Sequence, residues 1–262
     1  MLKNIFLRMK NSRHRKTITA AALLVAIVAM FWIVNTPAVV GVSVTTRKLP
    51  VYRVAREQKL VSLTFDAAWG NEDTQQLIDI LGKYGVKATF FVVGEWVDKY
   101  PESVKALSDA GHEVMNHSNN HPHFNKLGVA EIAGQINTCN DKIEAVTGVR
   151  PTLFRAPYGE YDDHVITAVE NLGIKTIQWD VDSLDWKDLS AADIQQRVLS
   201  RVKPGSICLF HNAALNTPAA LPGIIDSLLA DGYTVVPVSE IILTGDTYID
   251  NAGEQHPSTT NQ

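Results

Sequence analysis

The chain has 262 residues, 45% of them hydrophobic, with ordinary counts of 16 glycines and 11 prolines, which excludes a disordered or fibrous protein. Its formal net charge of -4 is uneven, because Lys3, Arg8, Lys10, Arg13, Arg15 and Lys16 occupy an acid-free start and leave 18 basic side chains against 28 acidic ones. A body that acidic lacks the clustered cations that phosphate binding needs, so nucleic acid is not an expected partner.

In chain order, residues 1–16 form a basic segment expected in the cytoplasm. Residues 17–34 carry no charge and are about the minimum length for a helix crossing a bilayer core. The cations before them predict a single-pass anchor in the cell membrane with the rest of the chain extracytoplasmic. A cleaved signal peptide would have a shorter core and small residues at its end, whereas this one closes on Phe31-Trp32-Ile33. Residues 35–59 read as a linker with Pro37, Pro50 and a basic stretch from Arg47 to Lys59, suited to anionic headgroups or to ordinary solvated surface. Residues 244–262 are polar and read as a flexible tail. Cys139 and Cys208 define no disulfide framework, and nothing in the sequence sets an oligomeric state.

Between linker and tail, residues 60–243 alternate regularly. Short β-rich apolar runs fall at 61–66, 88–94, 112–118, 152–159, 175–182, 206–212 and 233–239. Helical spacing follows each of the first six, and Gly85, Gly111, Gly148, Gly173 and Gly232 stand where helices should end. This pattern predicts an α/β fold with a mostly parallel sheet. No glycine-rich phosphate loop follows the first strand. About seven units fit an irregular or incomplete (β/α) barrel, preceded by the one N-terminal transmembrane helix. The unusual polar residues cluster where strands end, the rim at which such barrels build active sites.

Asp66 closes the first run and suits a general base or a metal ligand; Asn71 and Asp73 are better placed to cap the next helix. His117 and His121, four apart, can share one metal ion if the backbone turns helically between them. Ser118 excludes HExxH chemistry. Arg155 can hold a carboxylate ionised, and the Pro157-Tyr158-Gly159 turn can present a backbone N–H to an oxyanion. Trp179 to Trp186 places two indoles among acids, a composition suited to a carbohydrate platform or to ordinary packing. His211 can protonate a leaving amine, particularly if Asp185 orients and charges it.

Taken together, Thr64-Phe65-Asp66, His117-Ser118-x-x-His121, Arg155-x-Pro157-Tyr158-Gly159, Asp182-Ser183-x-Asp185-Trp186 and Leu209-x-His211 occur in the order of the five motifs of the polysaccharide deacetylase (NodB homology, carbohydrate esterase) family, which the chain resembles over about residues 60–240. The resemblance implies metal-assisted removal of N-acetyl groups from the amino sugars of a cell-wall polysaccharide. By it, Asp66 is the general base, Arg155 orients Asp66, and His117 with His121 hold a divalent ion such as zinc. The Tyr158 N–H stabilises the oxyanion, Trp186 and Leu209 line the acetyl pocket, and His211, tuned by Asp185, is the general acid. The family's first motif reads TFDD, and here Ala67 replaces the second Asp, a metal ligand. Either Asp66, Glu72, Asp73 or water completes the coordination, or the chain is a glycan-binding scaffold without turnover. The DAAWGNEDT form after a basic N-terminus resembles a membrane-anchored, sporulation-associated subgroup, which implies peptidoglycan and spore cortex as substrate. A phosphoesterase on a similar barrel would want more ligands and a more basic rim.

Overall fold

The computed structural model describes residues 2–35 and 47–258, and it divides into two units, residues 1–46 and 47–262. Among its described residues the first unit has one helix, Leu2–Asn35. Its described side chains, residues 17–33, are all exposed. Among the described residues no helix is long and apolar enough to cross a membrane, so the transmembrane helix expected over residues 17–34 is not found.

The second unit is the α/β body. A parallel sheet runs in the order β6-β5-β4-β3-β2-β8-β7, with strands β2 (Leu60–Ala67), β3 (Thr89–Val92), β4 (Glu113–Asn116), β5 (Leu153–Phe154), β6 (Lys175–Thr176), β7 (Val181–Asp182) and β8 (Ile207–His211). A further strand, β9 (Thr234–Val235), pairs with the start of β2. The sheet is a curled half-barrel of seven strands, so the expected incomplete barrel is what forms. Strand β2 lies at its centre and is buried at every position after Leu60, as a strand covered on both faces must be.

Period-2 alternation along β2 decides which chemistry faces where. Val61, Leu63, Phe65 and Ala67 join the main apolar core with Leu77 and Leu81 of helix Thr74–Lys83 and Leu221, Ile224 and Leu228 of helix Thr217–Ala230. Ser62, Thr64 and Asp66 take the opposite face, where Thr64 Oγ1 donates to the Cys208 carbonyl and accepts from Arg155. Parallel register then sets Asp66 beside His211 of β8 and beside Phe91 of β3.

Two boundaries differ from the sequence reading. Thr247–Ile249 (β10) and Glu254–Pro257 (β11), expected in a flexible tail, form an antiparallel pair, and β11 pairs in parallel with Arg53–Val54 (β1). Their polar residues are consumed locally: Asp250 Oδ1 accepts from the N–H groups of Ala252 and Glu254, and buried Gln255 donates to the Leu243 carbonyl. Of the expected linker, residues 36–46 lie outside the described residues, while Val51 and Val54 are buried in the body. Its basic stretch is engaged internally: Arg53 pairs with Glu254, Lys48 with Glu170, and Arg56 donates to the Ile241 carbonyl.

Candidate active site

Asp66, His117, His121, Tyr158, Trp186, Leu209 and His211 line one cavity of about 660 Å³ at the rim where the strands end, and Arg155 and Asp185 lie buried behind it. The sequence-predicted residues are therefore brought together, from five different strand ends.

Arg155 is fully buried between the Phe91 and Trp179 rings, 4.2 and 5.4 Å from their centroids. One guanidinium nitrogen donates to Asp66 Oδ1 at 2.7 Å and to Thr64 Oγ1 at 2.9 Å; the other donates to the Gln178 carbonyl at 3.1 Å. Burial alone would raise the Asp66 pKa, but the charges of Arg155 and then His117 outweigh it and hold the carboxyl below its usual range. Arg155 occupies Oδ1, and Oδ2 faces His117 Nε2 at 3.6 Å.

The His117–His121 segment does not turn helically. Ser118 and His121 both adopt left-handed backbone (φ 74° and 58°), and Ser118 Oγ accepts the His121 N–H. The rings still converge, with centroids 5.0 Å apart. His117 Nδ1 bonds the Arg155 carbonyl at 2.8 Å, which fixes the ring with Nε2 toward the cavity, the second-sphere arrangement of a metal-ligating histidine. His121 Nδ1 is buried without a partner. Burial, and next the neighbouring His117, push the His121 pKa down to about 4, and burial lowers His117 as well, so both rings are neutral near pH 7 as ligands must be. These two imidazoles fit a divalent cation.

Of the groups considered for a third ligand, Asp66 lines the cavity with Oδ2 beside His117, whereas Ala67, Glu72 and Asp73 do not fit. Ala67 presents a buried methyl on the helix side of the sheet. Glu72 is exposed and bonds the Asn71 N–H, and Asp73 Oδ1 accepts the Ala213 N–H, so neither lines the cavity as the replacement ligand considered from sequence. Among the described residues, the group of three ligand side chains close enough to share an ion is Asp250, Glu254 and His256 on the β10–β11 hairpin, away from this rim.

Across the cavity, Asp185 is fully buried. Its Oδ1 accepts from His211 Nδ1 at 2.8 Å and the Trp186 N–H, and its Oδ2 accepts from the His211 N–H and Thr217 Oγ1. Burial would lower the His211 pKa, but the hydrogen bond to Asp185 and its charge raise it above the ordinary value. Asp185 thereby favours the protonated form of His211, a donor, while Arg155 favours the ionised form of Asp66, an acceptor. Tyr158 adopts φ 59° in its turn, and its N–H is not used by the turn's own bonds, which run from Gly159 and Glu160. Leu209 is buried in the cavity wall and Trp186 stands exposed at its edge.

Sequence reasoning missed Trp69, Thr64, Gln178 and Thr217. Trp69 packs edge-on against His121 at 4.9 Å and lines the cavity while largely exposed. Its signal was an indole directly after the first motif. The other three were hidden because their partners come from distant strands.

The polysaccharide deacetylase family model matches residues 53–177. The chain is 39% identical over 184 residues to the peptidoglycan-N-acetylmuramic acid deacetylase PdaC of Bacillus subtilis, covering 70% of this chain and 39% of that protein. It is 30% identical over 190 residues to PdaA of the same organism, another peptidoglycan-N-acetylmuramic acid deacetylase, covering 71% and 72%. The chain spans 39–60% of the length of the first curated relatives it matches. Among solved structures, a CE4 family pseudoenzyme from Bacillus anthracis superposes with a TM-score of 0.71 at 38% identity, over 73% of this chain and 68% of that one. A mutant of that pseudoenzyme has restored enzymatic activity and superposes equally well. With its five motifs gathered on one rim and these relatives along most of its body, the chain belongs to the polysaccharide deacetylase family.

Proposed function

We propose that the chain is a hydrolase that removes N-acetyl groups from amino sugars of peptidoglycan, with spore cortex as its specialised form. The observation that carries this reading is the pair of opposed proton carriers. Asp66, whose ionised form Arg155 favours, and His211, whose protonated form Asp185 favours, face one cavity whose wall includes Leu209. Asp66 Oδ2 takes the proton of an attacking water. The Tyr158 N–H is free for the developing oxyanion, Leu209 and Trp186 enclose the acetyl methyl, and His211 Nε2 delivers a proton to the departing amine. His117 and His121 would hold a divalent ion, whose chemistry is polarisation of the amide carbonyl. The names of PdaC and PdaA support peptidoglycan as the glycan. Peptidoglycan lies outside the cytoplasmic membrane, and the same localisation is proposed here; protease access to the chain in intact cells checks it. Acetate release by the full chain from intact peptidoglycan and from GlcNAc oligomers, with Zn²⁺, Co²⁺ or EDTA, tests the activity. Glycan binding with no release under any condition overturns it.

A pH profile tests the acid. Asp185→Asn removes the charge that raises the His211 pKa, so the high-pH limb of kcat/KM is expected to move to lower pH. A limb that stays in place assigns it to another group.

A second reading, glycan binding without turnover, is favoured by Ala67 and by the likeness to the Bacillus anthracis pseudoenzyme. Ala67→Asp separates the two. Metal-free, it buries a carboxylate in an apolar cluster and is expected to lose about 3–5 kcal/mol of stability, as for any unpaired buried charge. If the carboxylate reaches the two imidazoles, Zn²⁺ recovers that loss by linkage and raises Tm more than in the parent chain. Equal Zn²⁺ shifts in thermal denaturation of both proteins would show that it remains on the helix side of the sheet.

A further inference from the structure

Tyr158 carries the backbone N–H assigned above to the oxyanion, and carries it in a conformation that needs holding. Its φ is 59°, left-handed backbone that a bulky residue leaves unless its surroundings fix it. Part of the hold lies in the backbone of the turn. There the Gly159 and Glu160 N–H groups donate to the Ala156 and Pro157 carbonyls, and Gln178 Nε2 donates to the Gly159 carbonyl. The rest falls on the side chain, which is 58% exposed and so has no core packed around it. Instead the ring stands between two imidazoles. His121 meets it edge-on and His123 lies nearly parallel to it, 16° between planes, both with centroids 4.5 Å from its own.

His123 is itself fixed from two sides. Its chain neighbour Phe124 is fully buried against Phe154 of β5. Its Nδ1 lies 2.9 Å from Glu160 Oε1, and because an ionised carboxylate only accepts, the imidazole donates. Glu160 belongs to the same turn as Tyr158, so the contact closes a loop through residues 123, 158 and 160. That loop ties the histidine segment to the oxyanion turn. The His123 and Glu160 side chains are 46% and 32% exposed, where an ion pair adds little stability. What the pair fixes is the place of a ring.

We propose that His123, pinned by Glu160, is a positioning residue for the hydrolysis: stacked on the Tyr158 ring, it keeps the residue 158 N–H aimed at the oxyanion. The inference rests on the hydrolase reading above and adds to it a side chain outside the five motifs.

His123→Ala and His123→Phe in the full chain test it, with acetate release from N-acetylated glycan as one readout. In His123→Ala, kcat is expected to fall about 10–100-fold, since the N–H is loosened and not deleted, while KM stays within about twofold. Tm should drop by less than about 4 °C, because the lost pair is exposed. His123→Phe keeps a ring on Tyr158 and should recover kcat to within about threefold of the parent. The second readout needs no turnover: ¹⁵N relaxation dispersion should show millisecond exchange at residues 158–160 in His123→Ala but not in the parent or in His123→Phe. An unchanged kcat in His123→Ala, a rise in KM in place of the fall in kcat, or a phenylalanine variant as slow as the alanine one overturns the proposal. If the parent releases no acetate, the hydrolase reading fails by itself, and quiet amides at 158–160 in His123→Ala then overturn the clamp as well.

Discussion

Replacing Arg155 with methionine is expected to cost about 3–5 kcal/mol of folding stability, the range for stranding one partner of a buried ion pair. The loss arises less from the missing attraction than from what remains: the Asp66 carboxylate, almost wholly buried, with no cation to hold its charge. Urea denaturation should show a lower midpoint with little change in slope. The pH dependence gives the sign. The Asp66 pKa is lowered in the folded protein, so its pairing stabilises fully above the unfolded carboxylate range and is lost as pH falls through the folded value. The gap between parent and variant should therefore narrow toward acid pH. Adding Asp66→Leu to Arg155→Met removes the stranded charge, and stability should largely return while acetate release stays absent. A double variant no more stable than the single one would mean that Arg155 acts through packing on Phe91 and Trp179, not through Asp66.

The fold was legible where burial writes itself into sequence. Strands β2, β3 and β8 are buried on both faces, so their runs of apolar residues are long and their ends marked by the polar rim residues. The run at 152–159 reads as a full strand but pairs over only two residues, and the run at 175–182 splits into two strands of two residues, β6 and β7, at opposite edges of the sheet. Arg155 and Pro157 divert the first into the turn, and Gln178 leaves the second to bond Val51. The β10–β11 hairpin was invisible because its stability comes from Asp250, Gln255 and a pairing with residues some 200 positions away, none of which alters local periodicity. For the site, identities were readable and geometry was not. The convergence of His117 and His121 depends on two left-handed residues that spacing does not announce. The consequence of Ala67 follows from alternation: being one residue past Asp66, it faces the opposite side of the sheet.

His211→Asn isolates the acid more cleanly than His211→Ala. Alanine would remove one donor from fully buried Asp185, whereas the asparagine amide can still donate near the position of Nδ1, and Trp186, Thr217 and the backbone of residue 211 keep the remaining bonds. The fold and its thermal midpoint should be preserved while kcat on N-acetylated glycan falls by about 10²–10⁴, the range for losing a positioned general acid. The leaving group supplies the decisive comparison. A sugar amine must be protonated to depart, but a nitrophenolate leaves without help, so acetate release from 4-nitrophenyl acetate at the same site should fall far less. The high-pH limb of the glycan profile should vanish with the imidazole, since no residue at 211 is left to titrate. An equal loss on both substrates would place His211 in binding or in oxyanion support, and the proton would then have to reach the amine from Asp66, after that carboxylate has taken it from water.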